Sequence, residues 1–325
     1  MILSIIVPCF NEEESILDFY NELKFNLNIL EKDFIANGPY SSNFNEFKYE
    51  VIFINDGSND KTLLKIKELL LNDNNIKYVS FSRNFGKESA IYCGLEKSIG
   101  DYVIIMDADL QDPPSLISKM LKKVIESDYD IVACRRVNRK GEPILRSFLA
   151  RFFYIFINKF SDINLVDGAR DFRLMNRQVV DSILEIKEYN RFSKGIFNWV
   201  GFNVYWIEYE NVQRLKGESS WSLISLIKYS VEGIVAFSTV PLSISTFLGI
   251  LFSLIAFLLI VLIVIRRLLY GDAVQGWASI ICIILLLGGI QLFSIGILGK
   301  YLEKTYLETK NRPIYIIKES NIEET

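Results

Sequence analysis

The chain has 325 residues, half of them hydrophobic, and its 36 Lys and Arg against 39 Asp and Glu leave a formal net charge of −3. It contains no histidine, which excludes His-based acid–base catalysis, Ser–His triads and His-ligated zinc. The sequence also lacks a block of Lys and Arg, which argues against a nucleic-acid partner. The cysteines lack metal-ligand spacing, which predicts small hydrophobic side chains in a reducing compartment: Cys9, Cys93, Cys134 and Cys282.

Residues 1–135 alternate short apolar runs with stretches of helical periodicity. The N-terminal "MILSIIVPCF" is too short and too poor in basic residues for a signal peptide, so we interpret it as a strand. Strands that alternate with helices are typical of βαβ units, which predicts an α/β fold with a mainly parallel sheet. The predicted elements, strand first and then alternating, cover 3–8, 12–30, 49–55, 61–70, 76–82, 87–99, 102–107, 114–127 and 129–135.

A polar motif follows each of the first four predicted strands. These motifs are "CFNEEES", "NDGSND", "SRNFGKE" and "DADLQD". Ligands of parallel sheets bind beyond the carboxyl ends of the strands. We therefore expect one cleft to gather all four motifs, and this convergence is the strongest physical indication of function in the sequence.

Two carboxylates, Asp107 and Asp109, end the fourth predicted strand. Desolvated carboxylates this close repel each other, so either the strand end is open to water or a cation lies there. Carboxylate oxygens suit Mg²⁺ and Mn²⁺, which usually keep a substrate phosphate as a further ligand. Such a pair alone is a weak signal. Followed by "LQDPP" in a βαβ chain, it indicates a metal ion that bridges to a diphosphate.

Two polar segments have no predicted secondary structure. Residues 31–48 are expected to form a surface loop without a catalytic role. Residues 135–147, "RRVNRKGEPILRS", are basic and contain Gly and Pro, and they fit either a mobile lid or a solvated loop.

Two long uncharged segments, Gly233–Ile265 and Ala273–Gly299, exceed the roughly 20 apolar residues that cross a bilayer. They predict a transmembrane hairpin with spans at about 241–265 and 275–298. The preceding "WSLISLIKYSVEGIVAFS" has the periodicity of an interfacial helix. The chain is therefore expected to be a membrane protein with a soluble head.

Basic residues are more numerous after the second span than in the short loop between the spans, which contains Arg266 and Arg267. By the positive-inside rule, the head and the C-terminal tail should both lie in the cytoplasm, at an inner or plasma membrane. The basic residues after the second span are Lys300, Lys304, Lys310, Arg312 and Lys318.

Six motifs resemble, in the right order, those of the family-2 glycosyltransferases with a GT-A fold: "SIIVPCFNEEESI", "INDGSNDKT", "SRNFGKESA", "GDYVIIMDADLQDPP", "DGARDFRLMNR" and "RLKGESSWS". Within this family, the chain resembles the polyprenyl-phosphate branch, which includes the bactoprenol glucosyltransferases and dolichol-phosphate mannose synthase. This resemblance implies a GT-A-type, Rossmann-like nucleotide-binding domain over 1–210, interfacial helices over 211–233, a two-helix transmembrane hairpin over 234–299 and a cytoplasmic tail over 300–325.

The resemblance also implies roles for individual residues. Asp56 matches the carboxylate that accepts a hydrogen bond from uracil N3–H, within a donor-binding set of Pro8, Asn11, Glu12, Asp56, Lys87, Asp107 and Gln111. The implied metal ligands are Asp107, Asp109 and Gln111. The implied catalytic residues are Asp109, Asp171 and Arg173, and the implied ligands of the acceptor phosphate are Arg170, Arg214 and Lys216.

Departures from the family and structural alternatives leave some of these roles open. Ser220 stands where many members have Lys, so no single Lys is assigned to the acceptor. Asp56 could form an Asx turn, Asp171 could be a structural partner of Arg170 or Arg173, and Lys216 could contact anionic lipid. The aromatic residues of 199–221 could form an interfacial belt.

The implied reaction is inverting sugar transfer from UDP-glucose or a UDP-N-acetylhexosamine to polyprenyl (undecaprenyl) phosphate, with Mg²⁺ or Mn²⁺, for modification of a cell-envelope glycan or lipid. A phosphate monoester is already ionised near neutral pH, since its second pKa is about 6. The site then needs no strong base, only groups that position two phosphates and stabilise the departing diphosphate.

Four alternatives stay open. The chain could be an inactive membrane-tethered nucleotide-binding module, although the presence of both Asp107 and Asp109 argues against it. A processive synthase would need more spans and a "QxxRW"-type motif. The acceptor could be another lipid such as a diacylglycerol, or the donor could be GDP-mannose. A homo-oligomer is compatible with the sequence.

Overall fold

The computed structural model describes residues 1–37, 46–137, 155, 157–159, 165–210, 231–270 and 277–322. Their strands form one eight-stranded sheet, and the predicted α/β fold is confirmed. The strands are β1 (Ile2–Cys9), β2 (Lys48–Asn55), β3 (Ile76–Phe81), β4 (Tyr102–Ile105), β5 (Ile131–Arg136), β6 (Ala169–Asn176), β7 (Val204–Tyr209) and β8 (Ile317–Ser320).

Helices follow most of these strands and cover both faces of the sheet. The helices are α1 (Ile16–Asn37), α2 (Thr62–Leu70), α3 (Lys87–Lys97), α4 (Leu116–Ile125), α5 (Arg177–Glu185), α6 (Ser193–Trp199), α7 (Val240–Tyr270) and α8 (Trp277–Thr309). Helix α4 shows why they pack, since its buried residues recur at helical spacing as Ile117, Met120, Leu121 and Val124.

Helix α1 is longer than predicted. The sequence placed residues 31–48 in a surface loop, but 31–37 continue the helix. The reason is that Leu30 and Phe34 extend the buried stripe of Leu23 and Leu27 by one more turn.

The strand order β7-β5-β6-β4-β1-β2-β3-β8 places the first strand in the middle of the sheet. Strands β1 to β4 are parallel, with β2 and β3 on one side of β1 and β4 on the other. The chain thus reverses its direction of winding between β1 and β4. Such a switch point opens a crevice beyond the carboxyl ends of the strands, at the edge where the four polar motifs lie.

Strand β6 runs antiparallel between β4 and β5, with Arg173 opposite Ile105 and Ala133. Sequence periodicity did not predict this strand. Its direction has a functional consequence, because the amino end of an antiparallel strand lies beside the carboxyl end of its neighbour. Arg170 and Asp171, at the start of β6, are therefore brought to the end of β4.

The C-terminal segment returns to the sheet. The sequence assigned 300–325 to a tail, but 300–309 continue helix α8 and Ile317–Ser320 form β8, antiparallel to β3. This pairing joins residues some 240 positions apart, such as Val79 and Ser320, so local periodicity carries no signal for it.

Helix α7 has the character of a membrane span. Among the described residues, one helix is long and apolar enough to cross a bilayer, Val240–Leu259, and none of its span is buried inside the protein. Helix α8 coincides with the second predicted span and also exposes large apolar side chains, among them Leu292 and Phe293. The two-span hairpin stays a prediction.

Candidate functional site

The loops after β1 and β2 are joined by hydrogen bonds between side chains and backbone. The Asn11 amide donates to the Ser58 hydroxyl at 3.0 Å, and the Asn59 amide donates back to the Asn11 side-chain oxygen at 2.9 Å. The Glu12 amide donates to the Thr62 hydroxyl at 2.8 Å. Asn11 has a φ of 55°, a conformation that asparagine tolerates better than most residues. These bonds set the shape of the loops before any ligand binds.

Two other residues of the predicted donor set lie in the same segment. Pro8 is half-buried near the end of β1, in register with Ile54 of β2. The Glu12 carboxylate accepts a hydrogen bond from the Ser15 hydroxyl at 2.5 Å, which orders the turn into α1. The structure therefore places Pro8, Asn11 and Glu12 at the mouth of the crevice.

The Asp56 carboxylate is buried and fastens the loop after β3. One of its oxygens accepts from the Phe85 amide at 2.6 Å and the other from the Gly86 amide at 2.9 Å. Burial raises the pKa of Asp56 to about 6, although the two backbone hydrogen bonds act in the opposite direction. The turn-forming interaction considered for Asp56 is made by its neighbour, because Asn55 accepts from the Ser58 amide at 3.3 Å.

Gly57 allows the loops after β2 and β3 to touch. Its φ of 65° is unfavourable for residues with a side chain. A Cβ atom there would lie 2.3 Å from the carbonyl carbon of Arg83. The close approach of these loops therefore requires glycine at this position.

Lys87, the first residue of α3, connects two carboxylates from different strands. Its ammonium lies 2.7 Å from an oxygen of Asp107, at the end of β4, and 2.6 Å from Asp171, at the start of β6. Burial alone would lower the pKa of Lys87, but the two carboxylates outweigh it and raise the pKa. The structure thus brings together one predicted residue from each of three distant motifs.

Asp171 is ionised in this setting. Burial by itself raises its pKa, but the charge of Lys87, with contributions from Lys194 and Arg173, lowers the pKa well below its usual range. A carboxylate with so low a pKa is a weak general base. The geometry therefore favours a role for Asp171 in positioning Lys87 and a substrate rather than in proton abstraction.

Arg170 lies across Asp107 from Lys87. Its guanidinium is 3.6 Å from Asp107 and 3.2 Å from Asp112, which also accepts from the Tyr209 hydroxyl at 2.6 Å. Burial acts to lower the pKa of Arg170, but the surrounding carboxylates raise it. Arg170 is therefore a permanent cation at the edge of the crevice.

Gln111 faces arginine side chains. Its amide oxygen accepts from Arg136 at 2.8 Å and lies 3.5 Å from a nitrogen of Arg170. As a metal ligand, its predicted role, Gln111 would have to share or exchange these partners. Arg136 had no assigned role in the sequence, which marked 135–147 only as a lid or a loop.

Asp109 is half-buried beside Asp107. Its carboxylate accepts from the Gln111 amide at 3.1 Å. Burial and the charge of Asp107 raise the pKa of Asp109, which is the repulsion expected of two neighbouring carboxylates. A divalent cation would relieve it. Within the part of the chain that the structure describes, no three or more His, Cys, Asp or Glu side chains are arranged so that they could hold a metal ion by themselves. Mg²⁺ sites in proteins often include substrate phosphate oxygens beside one or two carboxylates.

Arg173, predicted as catalytic, lies beneath the crevice. It is 3% exposed, stacks on the Phe197 ring at 3.7 Å and donates to the Arg170 carbonyl at 3.0 Å. Burial lowers its pKa to about 10, so it keeps its charge at neutral pH. It lies two residues beyond Asp171 along β6, opposite Ile105 of β4, and its catalytic role stays a prediction.

Two predicted residues are outside the described part of the chain. Arg214 and Lys216, expected to hold the acceptor phosphate, fall between 210 and 231, as does Ser220. Sequence reasoning missed Arg136, Tyr209 and Lys194. Among these, only the Arg135–Arg136 pair at the end of a predicted strand carried a signal that could have been used.

Comparison with known proteins assigns the sequence to a family. The profile described as glycosyl transferase family 2 matches residues 4–184. The chain is 44% identical over 321 residues to the Bacillus subtilis (strain 168) protein CsbB, named as a glycosyltransferase, covering 99% of this chain and 92% of that one. It is 40% identical to the bactoprenol glucosyl transferase of Shigella phage SfII, covering 99% of each. The prophage bactoprenol glucosyl transferase homolog of Escherichia coli (strain K12) is 38% identical, covering 98% of this chain and 99% of that one.

Among solved structures, the chain overlays on glucosyl-3-phosphoglycerate synthase from Mycobacterium tuberculosis. The TM-score is 0.44 at 16% identity, over 72% of this chain and 77% of that chain. The sequence matches, which extend over nearly the whole chain, are therefore the findings that assign the family.

Proposed function

Because this chain belongs to glycosyl transferase family 2 and is a glycosyltransferase, we propose that it transfers a sugar from a nucleotide sugar to a polyprenyl phosphate at a membrane surface. The observation that carries the proposal is the position of Lys87. This residue bridges Asp107 and Asp171, and it also lines a cavity of about 210 Å³ with Lys304 of helix α8. The charged centre, formed by Lys87, Arg170 and the carboxylates around them, thus lies near the last turns of α8, just beyond the second apolar segment.

The acceptor is proposed on two grounds. Relatives that align over nearly their full length are named bactoprenol glucosyl transferases, and bactoprenol is a polyprenol. A second cavity of about 600 Å³ lies where the chain enters α7, lined by apolar residues such as Ile196, Trp199 and Phe237. A lipid chain that leaves the bilayer could approach the crevice along this surface.

For the donor we propose a UDP-sugar, with UDP-glucose or a UDP-N-acetylhexosamine the first candidates. The site would place the uracil near Asp56 and the diphosphate near Asp107 and Asp109. The atoms of Asp107 and Asp109 that could bind a metal ion are hard carboxylate oxygens, which fit Mg²⁺ or Mn²⁺. When bound, such an ion supplies positive charge to the leaving diphosphate.

The residues of the chain itself account for the remaining chemistry. Lys87 and Arg170 hold positive charge where two phosphates would otherwise repel each other, and Asp171 keeps Lys87 in place. The acceptor phosphate is an anion at neutral pH, so its oxygen attacks the anomeric carbon without a base. The carbon–oxygen bond to the diphosphate breaks as the new one forms, and the configuration inverts.

The proposed location follows from the same arrangement. Helices α7 and α8 would form a two-span hairpin in the inner or plasma membrane, with the whole sheet, including its C-terminal strand β8, on the cytoplasmic side. An impermeant maleimide added to intact cells should label Leu269→Cys, at the end of α7, and not Lys310→Cys, after α8. The reverse labelling would contradict this topology.

The function is tested with purified protein, undecaprenyl phosphate, Mg²⁺ or Mn²⁺ and a panel of UDP- and GDP-sugars. We expect one UDP-sugar to give a polyprenyl-phosphate sugar with a β linkage from an α-linked donor. An α-linked product would reject inversion. Transfer only to a diacylglycerol, or no transfer from any donor, would reject the proposed acceptor or the activity.

A further inference from the structure

The strand formed by the C-terminal segment lies next to the loop that holds the donor residues. Strand β8 pairs with β3, and the loop over 82–86 follows directly after β3. This loop carries the two amides that bind Asp56 and ends at Lys87. The C-terminal strand therefore borders the proposed nucleotide site, although residues 310–322 contain none of the predicted site residues.

Several contacts fasten β8 to the sheet. The Ser82 amide donates to the Ile316 carbonyl at 3.0 Å. The side chain of Asn321 accepts from the Tyr78 amide at 2.6 Å, and Glu319 forms an ion pair of 2.7 Å with Lys67 of α2. The chain after α8 is thus attached at both ends. Its start continues from helix α8, and its end is fixed to the sheet by the pairing of β8 with β3.

Tyr315, just before β8, fills the space between β3 and α3. Its ring stacks on the Phe81 ring at 5.0 Å with an interplanar angle of 16°, and its hydroxyl donates to Glu96 of α3. Burial beside Cys93 and Glu96 raises the pKa of the Tyr315 hydroxyl above its usual range. Tyr315 therefore touches the elements on both sides of the 82–86 loop.

The contact continues into the loop itself. The Phe81 ring meets the Phe85 ring edge-on at 5.8 Å, and the Arg83 guanidinium lies 4.0 Å above the Phe85 ring. The Phe85 amide is the closer of the two donors to Asp56, at 2.6 Å. A continuous row of packed groups thus leads from Tyr315 through Phe81 and Phe85 to Asp56.

We propose that Tyr315 is a positioning residue for the donor site. By bracing β3 and α3, it holds the intervening loop in place, so that the Phe85 and Gly86 amides reach Asp56 and Lys87 reaches Asp107 and Asp171. The C-terminal strand would then couple the apolar helices to the nucleotide pocket. The assignment of this loop to donor binding rests on the proposed function, whereas the bracing contact does not.

The test compares Tyr315→Ala with a graded variant, Tyr315→Phe, and with a control, Glu319→Gln. Tyr315→Phe keeps the ring stacked on Phe81 and loses the contacts of the hydroxyl with α3, including the bond to Glu96. Glu319→Gln removes the ion pair to Lys67 on the same strand but on the side away from the loop. If Tyr315 positions the donor loop, Tyr315→Ala raises the KM for the nucleotide sugar about two- to tenfold with little change in kcat, the range expected for one lost aromatic contact. Tyr315→Phe should raise this KM less, because the ring still stacks on Phe81, and Glu319→Gln should stay close to the unaltered protein.

Hydrogen–deuterium exchange provides a readout that does not need activity. In Tyr315→Ala, the peptide that contains Phe85 and Gly86 should exchange faster, while peptides from β1 and α4 stay unchanged. If that peptide exchanges at the unaltered rate, or if Glu319→Gln produces the same change, the inference is overturned. If the unaltered protein transfers no sugar, the proposed function fails, and the exchange result still decides the role of Tyr315.

Discussion

Two parts of the site are held by different kinds of contact. The proposed donor side is formed by the loops after β1, β2 and β3, and the charged centre by Lys87, Arg170 and the carboxylates around them. On the donor side, the loops after β1, β2 and β3 are joined by hydrogen bonds from backbone amides to side-chain oxygens, as at Asn11 and Asp56. In the charged centre, the contacts that hold Lys87 and Arg170 are mainly ion pairs with carboxylates, at 2.6 to 3.6 Å. The first set of contacts requires one backbone conformation, whereas the second requires only nearby opposite charge.

This difference indicates which part of the site is expected to rearrange when ligands bind. Backbone amides bonded to buried oxygens are costly to leave unpaired, so the donor loops keep their shape when empty. Ion pairs between partly exposed groups are worth little by themselves and can exchange partners. Under the proposed function, a phosphate would replace a carboxylate beside Lys87, and a divalent cation would replace Lys87 beside Asp107, without a change of fold.

Removal of the acidic pair should disrupt the charged centre most strongly. For Asp107→Ala and Asp109→Ala, we expect sugar transfer to fall about 100- to 1,000-fold, because the diphosphate loses the charge stabilisation that these groups organise. The measurement is initial rate with a radiolabelled nucleotide sugar, with and without a chelator.

The matched control for the acidic pair is Asp128→Asn, at an exposed position between α4 and β5. It should retain the full rate. Undiminished transfer by both alanine variants in the presence of chelator would contradict the assignment of the charged centre.

Loss of the shared cation should have the next largest effect. In Lys87→Met, Asp107 and Asp171 face each other without a counter-charge, and transfer should fall about 10- to 100-fold. The effect is smaller than for the acidic pair because Arg170 remains 3.6 Å from Asp107. The pKa of Asp171 should rise from its lowered value, which carbon-13 NMR of labelled aspartate can follow.

The control for Lys87→Met is Lys97→Met, at the other end of α3. An equal loss of transfer in that variant would mean that the effect is not specific to the site.

Gly57→Ala tests the rigidity of the donor side. The alanine would have to adopt a φ of 65° and place its Cβ 2.3 Å from backbone of Arg83. We expect a loss of about 1–3 kcal/mol in unfolding free energy and weaker nucleotide binding. Thermal unfolding and titration with UDP measure the two effects.

The control for Gly57→Ala is Gly249→Ala on α7, where a Cβ meets nothing within 4 Å. It should leave nucleotide binding unchanged. If Gly57→Ala unfolds and binds UDP like the unaltered protein, the donor loops are less rigid than we infer.

The smallest expected effect is a pH dependence that arises from Asp56. With a pKa of about 6, its carboxylate becomes neutral as the pH falls from 7 to 5, and UDP affinity should weaken by up to about tenfold. Because the pKa is raised from 3.8, the folded state binds this proton more readily than the unfolded state does. As the pH falls from about 6 to about 4, the contribution of Asp56 to the free energy of unfolding therefore becomes more favourable to the folded state.

Calorimetric titration with UDP at several pH values, beside thermal unfolding in the same buffers, separates binding from stability. Asp56→Asn should bind weakly at every pH. A UDP affinity that is constant from pH 7 to pH 5 would remove Asp56 from the nucleotide site.

The amino-acid sequence by itself determined the alternation of strands and helices, since apolar periodicity is a local property. It also determined that the motifs at Asn11, Asp56, Lys87 and Asp107 meet at one edge, because parallel strands align their carboxyl ends. The family resemblance then assigned Asp171 to the site, but nothing local placed it beside Lys87.

Only the tertiary structure decided the remaining contacts. The antiparallel insertion of β6 places Asp171 on Lys87 and buries Arg173, and the pairing of β8 with β3 brings Tyr315 to the donor loop. Neither pairing has a local signal, because strand partners are chosen by long-range packing and the sequence separation between them is large. The polar motifs thus follow from the sequence, whereas the distances between their charges follow from the order of the strands in the sheet.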